Sequence, residues 1–366
     1  MVAHDTAVTD GSHDLSIPKT YKAAVYDAPG SNSIKMVELD MPEPGPGEVL
    51  INLSATPHAW LMQMMNTWKM MPSPTQPGQV GGHEGVGKVV KLGSAAQYGT
   101  VQLGDRVGVK WVSGACLSCA TCLQGVEGCC ANQKVSGYYT PGTFQQYVLA
   151  PSNYVTKIPD GLDSAAAAPM LCAGVTTYAA LRKSDAQSGG WVVISGAGGG
   201  LGHIACQLAS RGMGIRVIGI DHGSKEKLVR DSGAEAFLDV ATLDGPMMAA
   251  EVMKITGGIG ASAVLVCTAS NQAYAQALDF LGVGGTLPEG EPLPIATSFP
   301  AALMRKQLTI NAVSVGNRKD AIEAMDFAAR GVVNPHVRLE KLENLTEVFR
   351  EMDEGQLLGR VVLDLQ

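Results

Sequence analysis

Trp191-Val-Val-Ile-Ser-Gly-Ala-Gly-Gly-Gly-Leu-Gly202 joins a short apolar run to a glycine loop. The run Trp191 to Ser195 suits a buried parallel strand, and a helical pattern follows from Leu201 to Arg211. Further on, the apolar run Ile215 to Ile220 ends in Asp221, helical stretches cover Lys225 to Ser232 and Met247 to Thr256, and Ala263 to Cys267 reads as another strand. Alternation of this kind predicts an α/β fold, a Rossmann doubly wound parallel sheet. Glycines at 196, 198, 199, 200 and 202, with Leu201 among them, let a backbone approach a pyrophosphate whose charge meets the helix N-terminus. Asp221 stands 19 residues after Gly202, where an acid accepts bonds from the adenosine ribose and repels a 2′-phosphate. NAD(H) is therefore expected over NADP(H). Binding a dinucleotide does not by itself establish hydride transfer.

The chain before this stretch has another character. Lys22–Tyr26, Glu48–Leu53, Gly85–Leu92 and Asp105–Lys110 read as strands, and Pro42, Pro44 and Pro46 mark a loop. A β-rich domain is expected here. A helix over Ala321 to Arg330 and a closing strand over Val361 to Leu365 end the chain. Residues 1–18 read as a flexible tail with no basic start and no apolar run. The 366 residues are enough for two cores, and a net charge of −7 argues against nucleic acid as a partner. No stretch has the length of a membrane helix, so a cytoplasmic protein acting on a small molecule is the expectation.

Cys116, Cys119, Cys122 and Cys130 follow the pattern C-x2-C-x2-C-x7-C. Four thiolates on a tight loop can enclose one tetrahedral zinc with every position filled by protein, which makes the site structural. Cys129 is adjacent, but the spacing favours Cys130.

Several motifs together make the chain resemble the medium-chain zinc alcohol dehydrogenases, and among them the microbial tetrameric type. They are Gly81-Gly-His-Glu-Gly85, the four-cysteine lobe, Gly137 to Gln146, Leu171-Cys-Ala-Gly174, Ile194 to Gly202, Gly219-Ile-Asp221, Val315-Gly-Asn-Arg318 and Gly355 to Arg360. The resemblance runs from about Lys22 to the end. It implies a GroES-like catalytic domain over 19–173 and 315–366, with the NAD-binding domain over 174–314, and a homo-oligomer of two or four chains. It adds Lys225, Val315 and Arg360 to the cofactor residues, with Arg360 reaching the pyrophosphate.

The same resemblance exposes departures. The family holds a catalytic zinc with a Cys, the His of the Gly-His-Glu motif and a second Cys. Here the last two are His83 and Cys172, while the first falls on Pro57, which offers no donor. The family's hydroxyl, acid and relay histidine fall on Ala59, Trp60 and Met62. This argues against a catalytic zinc, although His83, Glu84 and Cys172 can still make a three-ligand site, with His58 a further donor. Trp60 is the candidate that fills the metal's space. In Gly285 to Pro294, where the family runs an apolar strand, Pro288 is expected to break the ladder, and Glu289 and Glu291 to lie in a solvated loop or act as acids. Methionines 62, 64, 65, 70 and 71 with Trp68 suggest a pocket for a bulky apolar molecule.

Hydride transfer without zinc needs an acceptor that is already electron-poor. The leading expectation is thus an NAD(H)-dependent reductase of a conjugated C=C or C=N bond in a bulky substrate of specialised metabolism, with structural but no catalytic zinc. A zinc alcohol dehydrogenase or carbonyl reductase with rearranged ligands is the first alternative. A non-redox isomerase or cyclase on the same scaffold is the second.

Overall fold

The computed structural model describes residues 17–28, 31–57, 75–96, 99–268, 270–289 and 300–366. His58, Ala59, Trp60, Met62 and the methionines that follow, Glu291 and the first sixteen residues lie outside these, so the expectations placed on them are not addressed.

Val192, Val193 and Ile194 are fully buried, as a run without polar alternation requires. Their strand, Trp191–Ser195, lies third in a six-stranded sheet whose spatial order is Ala236–Asp239, Arg216–Asp221, Trp191–Ser195, Ala261–Val266, Leu281–Glu289, Thr309–Ala312. Every pairing in it is parallel. The strand order reverses between Trp191–Ser195 and Ala261–Val266, and ligands bind in the crevice that such a switch point opens. The helix after the loop differs from its expected span: it is α-helical over Gly202–Gln207 and widens into a π turn over Leu208–Gly212. There Ser210 Oγ donates to the Cys206 carbonyl at 2.6 Å, competing with the backbone for that acceptor.

Pro288 corrects another expectation. It does not break the ladder: the strand Leu281–Glu289 runs through it, opposite Asn311, and its neighbours Leu287 and Glu289 pair with Ile310 and Ala312. A proline removes one donor but keeps an extended backbone, so a single rung is lost and the strand persists. Glu289 accordingly ends a strand and is not part of a loop.

The β-rich part is a seven-stranded sheet in the order Val337–Lys341, Arg360–Asp364, Glu48–Pro57, Gly85–Leu92, Arg106–Val109, Thr156–Lys157, with Tyr147–Pro151 also on Glu48–Pro57. Early and late parts of the chain meet in it, since Val362 pairs with Pro57 and Leu363 with Thr56. It is a GroES-like domain, and the chain between its two parts forms the Rossmann sheet. The helix Ala173–Lys183, buried along most of its length, packs against the helices Gly202–Gln207 and Arg318–Ala329. Among the described residues no single helix is long and apolar enough to cross a membrane.

Candidate active site and metal sites

His83 and Glu84 follow Gly82, whose φ of +91° places it in the left-handed region that favours glycine. A Cβ on Gly82 would also stand 2.6 Å from Thr143 Oγ1. The turn delivers two ionisable side chains in succession to the interior, both fully buried. Cys172 stands at the N-terminal boundary of the helix Ala173–Lys183, its side chain making no capping bond. His83 Nε2 lies 3.3 Å from Cys172 Sγ, and donor atoms of His83, Glu84 and Cys172 all lie within 4.8 Å of one another. On a tetrahedral zinc, nitrogen and sulfur ligands stand about 3.5 Å apart.

The electrostatics of this cluster are unbalanced. Burial, followed by the nearby Arg360 charge, pushes His83 down to about 3, so its ring is neutral. Burial pushes Glu84 up to about 7, opposed by Arg360 and by the Ala173 backbone N–H. Burial and then the Glu84 charge raise the Cys172 thiol. Arg360 forms a buried ion pair with Glu84 through Nη2 and Oε2. That leaves His83 Nδ1, Glu84 Oε1 and Arg360 Nε buried without a hydrogen-bond partner. Such orphaned atoms carry a desolvation cost that a bound cation or ligand would relieve. A neutral imidazole, a carboxylate and a thiol are together a donor set that zinc accepts. Trp111, which the sequence reading passed over, sets its ring edge-on to His83 with centroids 4.9 Å apart. Pro57 ends its strand buried.

The four-cysteine cluster is of another kind. Cys116 and Cys130 sulfurs are 3.5 Å apart, Cys119 and Cys130 3.8 Å, Cys116 and Cys122 3.9 Å. Ligands on a tetrahedral zinc with Zn–S of about 2.3 Å would be roughly 3.8 Å apart, whereas a disulfide would need about 2.05 Å. Backbone N–H groups of Cys119 and Asn132 donate to Cys116 and Cys130 sulfurs at 3.4 Å. Such bonds, with Ser118 first, bring the Cys116 thiol down to about 6 and favour thiolate. Cys130 is buried in the cluster while Cys129 is exposed. The lobe is fastened by buried Glu127, which accepts from Tyr154 Oη and Arg318 Nε, each at 2.9 Å.

In the cofactor loop a Cβ on Gly202 would meet Gly196 O at 2.1 Å, so only glycine lets the helix start so close to the strand. Asp221 Oδ2 accepts from Gly198 N and Oδ1 from His222 N, both at 2.8 Å. Lys225 Nζ stands 3.9 Å from Asp221. A cavity of about 320 Å³ opens beside these groups, lined by Ser195, Gly196, Asp221, His222, Val240 and Thr268 among others. It is where a switch-point nucleotide would place its adenosine. Arg360 lies between the glycine loop and Glu84; its Cδ is 2.9 Å from the place a Gly200 Cβ would occupy. Val315 is not at this cavity. It holds a left-handed φ of +48°, rare for a β-branched residue, and lines a separate space of about 720 Å³ beside the lobe residues Glu127 and Gly128.

Comparison with known proteins agrees with this arrangement. The alcohol dehydrogenase GroES-like domain matches residues 45–160, and the zinc-binding dehydrogenase domain matches residues 200–330. Alcohol dehydrogenase 2 of Emericella nidulans is 60% identical over 95% of this chain and 98% of its own. An alcohol dehydrogenase of Schizosaccharomyces pombe is 39% identical over 96% and 99%. The structure of acetophenone reductase from Geotrichum candidum in complex with NAD superposes with a TM-score of 0.82, at 28% identity, over 95% of this chain and 98% of that one.

Proposed function

The chain belongs to the medium-chain zinc alcohol dehydrogenase family, and from that premise we propose that it interconverts an alcohol and a carbonyl compound with NAD(H), at a metal site formed by His83, Glu84 and Cys172. The observation that carries the proposal is the convergence of these three donors with His83 Nδ1 and Glu84 Oε1 left without partners. This departs from the expectation that the site holds no metal. Zinc, when bound there, supplies polarisation of the carbonyl and stabilisation of the alkoxide. The protein's own part is positional. Trp111 packs edge-on against the His83 ring, Arg360 pairs with Glu84 and opposes the burial that raises it, and the glycine loop seats the cofactor pyrophosphate. Asp221 favours NAD(H) over its 2′-phosphorylated form.

A second reading, reduction of a conjugated C=C or C=N bond without catalytic zinc, is favoured by Pro57, a residue with no donor to give, together with Ala59, Trp60 and Met62 at the family's hydroxyl, acid and relay positions. One preparation separates the two readings. Zinc is counted per chain, and NADH oxidation is followed with an aromatic ketone and with a conjugated enone. Two zinc ions and ketone turnover support the first reading; one zinc and enone turnover alone replace it with the second. A homo-oligomer belongs to the same proposal. The strand Thr309–Ala312 forms the outer edge of its sheet, and light scattering of the purified chain tests the assembly.

A further inference from the structure

His203 follows the last glycine of the cofactor loop and is fully buried. Both of its ring nitrogens are engaged. Nδ1 lies 2.7 Å from Gly199 O, and Nε2 lies 3.1 Å from the backbone N of His336. A carbonyl only accepts and a backbone N–H only donates. The ring is therefore neutral, with its hydrogen on Nδ1. Burial, which pushes the group down to about 4, agrees.

The contacts continue beyond His336. Its carbonyl accepts from Arg360 N at 2.9 Å, and the Arg360 side chain returns to the loop beside Gly200. Gly199, His203, His336, Arg360 and Gly200 thus form a closed circuit that begins and ends on adjacent glycines. The circuit crosses from the Rossmann sheet to the strand pair Val337–Lys341 and Arg360–Asp364 of the other domain. The direct backbone link across the same gap, Gly359 N to Gly198 O, is long at 3.5 Å, so His203 supplies the well-formed connection.

We propose that His203 is a positioning residue for the cofactor: it fixes the glycine loop, through Gly199, at a set distance from the segment that carries Arg360. The loop's N–H groups and the Arg360 guanidinium can then meet one pyrophosphate together. Nothing in this depends on which acceptor takes the hydride, so it extends beyond the alcohol and carbonyl reading.

Gln207 provides the internal control. One turn along the same helix, its side chain donates to Asn334 O at 3.1 Å and accepts from Asn334 N at 2.8 Å. It docks the same segment without touching the glycine loop; its further bond, to the His203 backbone carbonyl at 3.3 Å, does not involve the imidazole. The test measures the NADH dissociation constant by fluorescence, without substrate, on the purified zinc-containing protein, together with the unfolding midpoint. His203→Phe removes both hydrogen bonds. His203→Asn keeps a donor near Gly199 and loses the acceptor facing His336, and it carries the test should the Phe variant not fold. His203→Gln keeps an acceptor at the Nε2 position. The expected result is about tenfold weaker NADH binding in the Phe and Asn variants, the size of one buried hydrogen bond left unmade. The Gln variant, which keeps the His336 contact but loses the donor to Gly199, weakens binding likewise, since the link needs both bonds. Gln207→Met lowers the midpoint while NADH affinity stays within about twofold of the parent. NADH affinity within twofold of the parent in the Phe and Asn variants, or an equal loss in Gln207→Met, would overturn the proposal and leave His203 as ordinary interdomain packing.

Discussion

Two clusters of soft donors sit in one domain and differ in completeness. The Cys116, Cys119, Cys122 and Cys130 sulfurs stand close to the edge lengths of a zinc tetrahedron and receive backbone N–H bonds. The His83, Glu84 and Cys172 cluster has three donors, an arginine competing for one of them, and orphaned polar atoms. The first is a finished ligand set that can be understood without a substrate. The second is unfinished, as a site that must admit another molecule has to be. Closed donor sets serve stability and open ones serve chemistry, so the same kind of substitution should have opposite consequences in the two places.

The largest effect is expected at the lobe. Cys116→Ala removes one of four ligands and with it the metal's contribution to folding. A loss of several kcal/mol, at roughly 2–4 °C per kcal/mol, lowers the unfolding midpoint by on the order of 10 °C. Calorimetry with a zinc assay checks this; an unchanged midpoint and zinc content would remove the lobe from the metal sites. At the open cluster the balance reverses. Cys172→Ser should reduce ketone turnover by about 100-fold or more and move the midpoint by only a few degrees, since a ligand is lost but the packing volume is nearly kept. Turnover within a few-fold of the parent would show that no metal works there.

The two clusters also differ in how far the sequence revealed them. The lobe was legible because its four ligands are local, and spacing alone brings them together. The cofactor site was equally legible in Gly196 to Gly202 and Asp221, where one strand–loop–helix unit holds nearly every determinant. His83, Glu84 and Cys172 were legible as types, but their competition with Arg360 joins positions 276 residues apart in sequence, a contact that no local pattern encodes. Trp111 gave no signal, because an aromatic beside a strand has the look of ordinary core. His203 did carry one, its place directly after Gly202, but its partner His336 is 133 residues away. The helices Ala173–Lys183 and Asn271–Phe280 were passed over because alanine-rich stretches show little periodicity until packing decides them, whereas Leu345–Asp353, with Leu345, Val348 and Phe349 buried along one face, carried a helical pattern that the reading missed. Pro288 misled because one missing donor was weighed as a broken strand.

Pro57 offers a way to convert the open cluster into a fuller one. It ends a strand, paired to Val362, and Pro57→Cys restores the thiol that the family resemblance places there. Zinc affinity at the second site is expected to rise about 10–100-fold, the range that ligand-environment changes commonly produce. Competition with a chromophoric chelator measures it. An unchanged affinity would mean that position 57 does not face the metal, and the contrast between a complete and an incomplete site would then rest on Glu84 alone.

The smallest effect concerns the ground between the clusters. Lys110 follows the strand Arg106–Val109, precedes Trp111 and is buried, its Nζ donating to Tyr154 O at 2.8 Å and to Thr156 Oγ1 at 2.9 Å. Burial pushes it from its ordinary 10.5 down to about 7; the Glu127 carboxylate opposes this and the Arg318 charge adds to it. In the unfolded chain Lys110 keeps its proton up to its ordinary value, whereas in the folded chain it gives the proton up near neutrality. Between those limits the unfolded chain binds more protons, so this group makes stability rise with pH, by at most about 1.4 kcal/mol per pH unit for one proton. Denaturant unfolding of the parent and of Lys110→Met at pH 7, 8 and 9 isolates the contribution. The difference between the two proteins should shift in the parent's favour as pH rises. A constant difference would mean that Lys110 stays charged, neutralised by Glu127, and that the lobe's anchoring network reaches as far as the strand leading to Trp111 and His83.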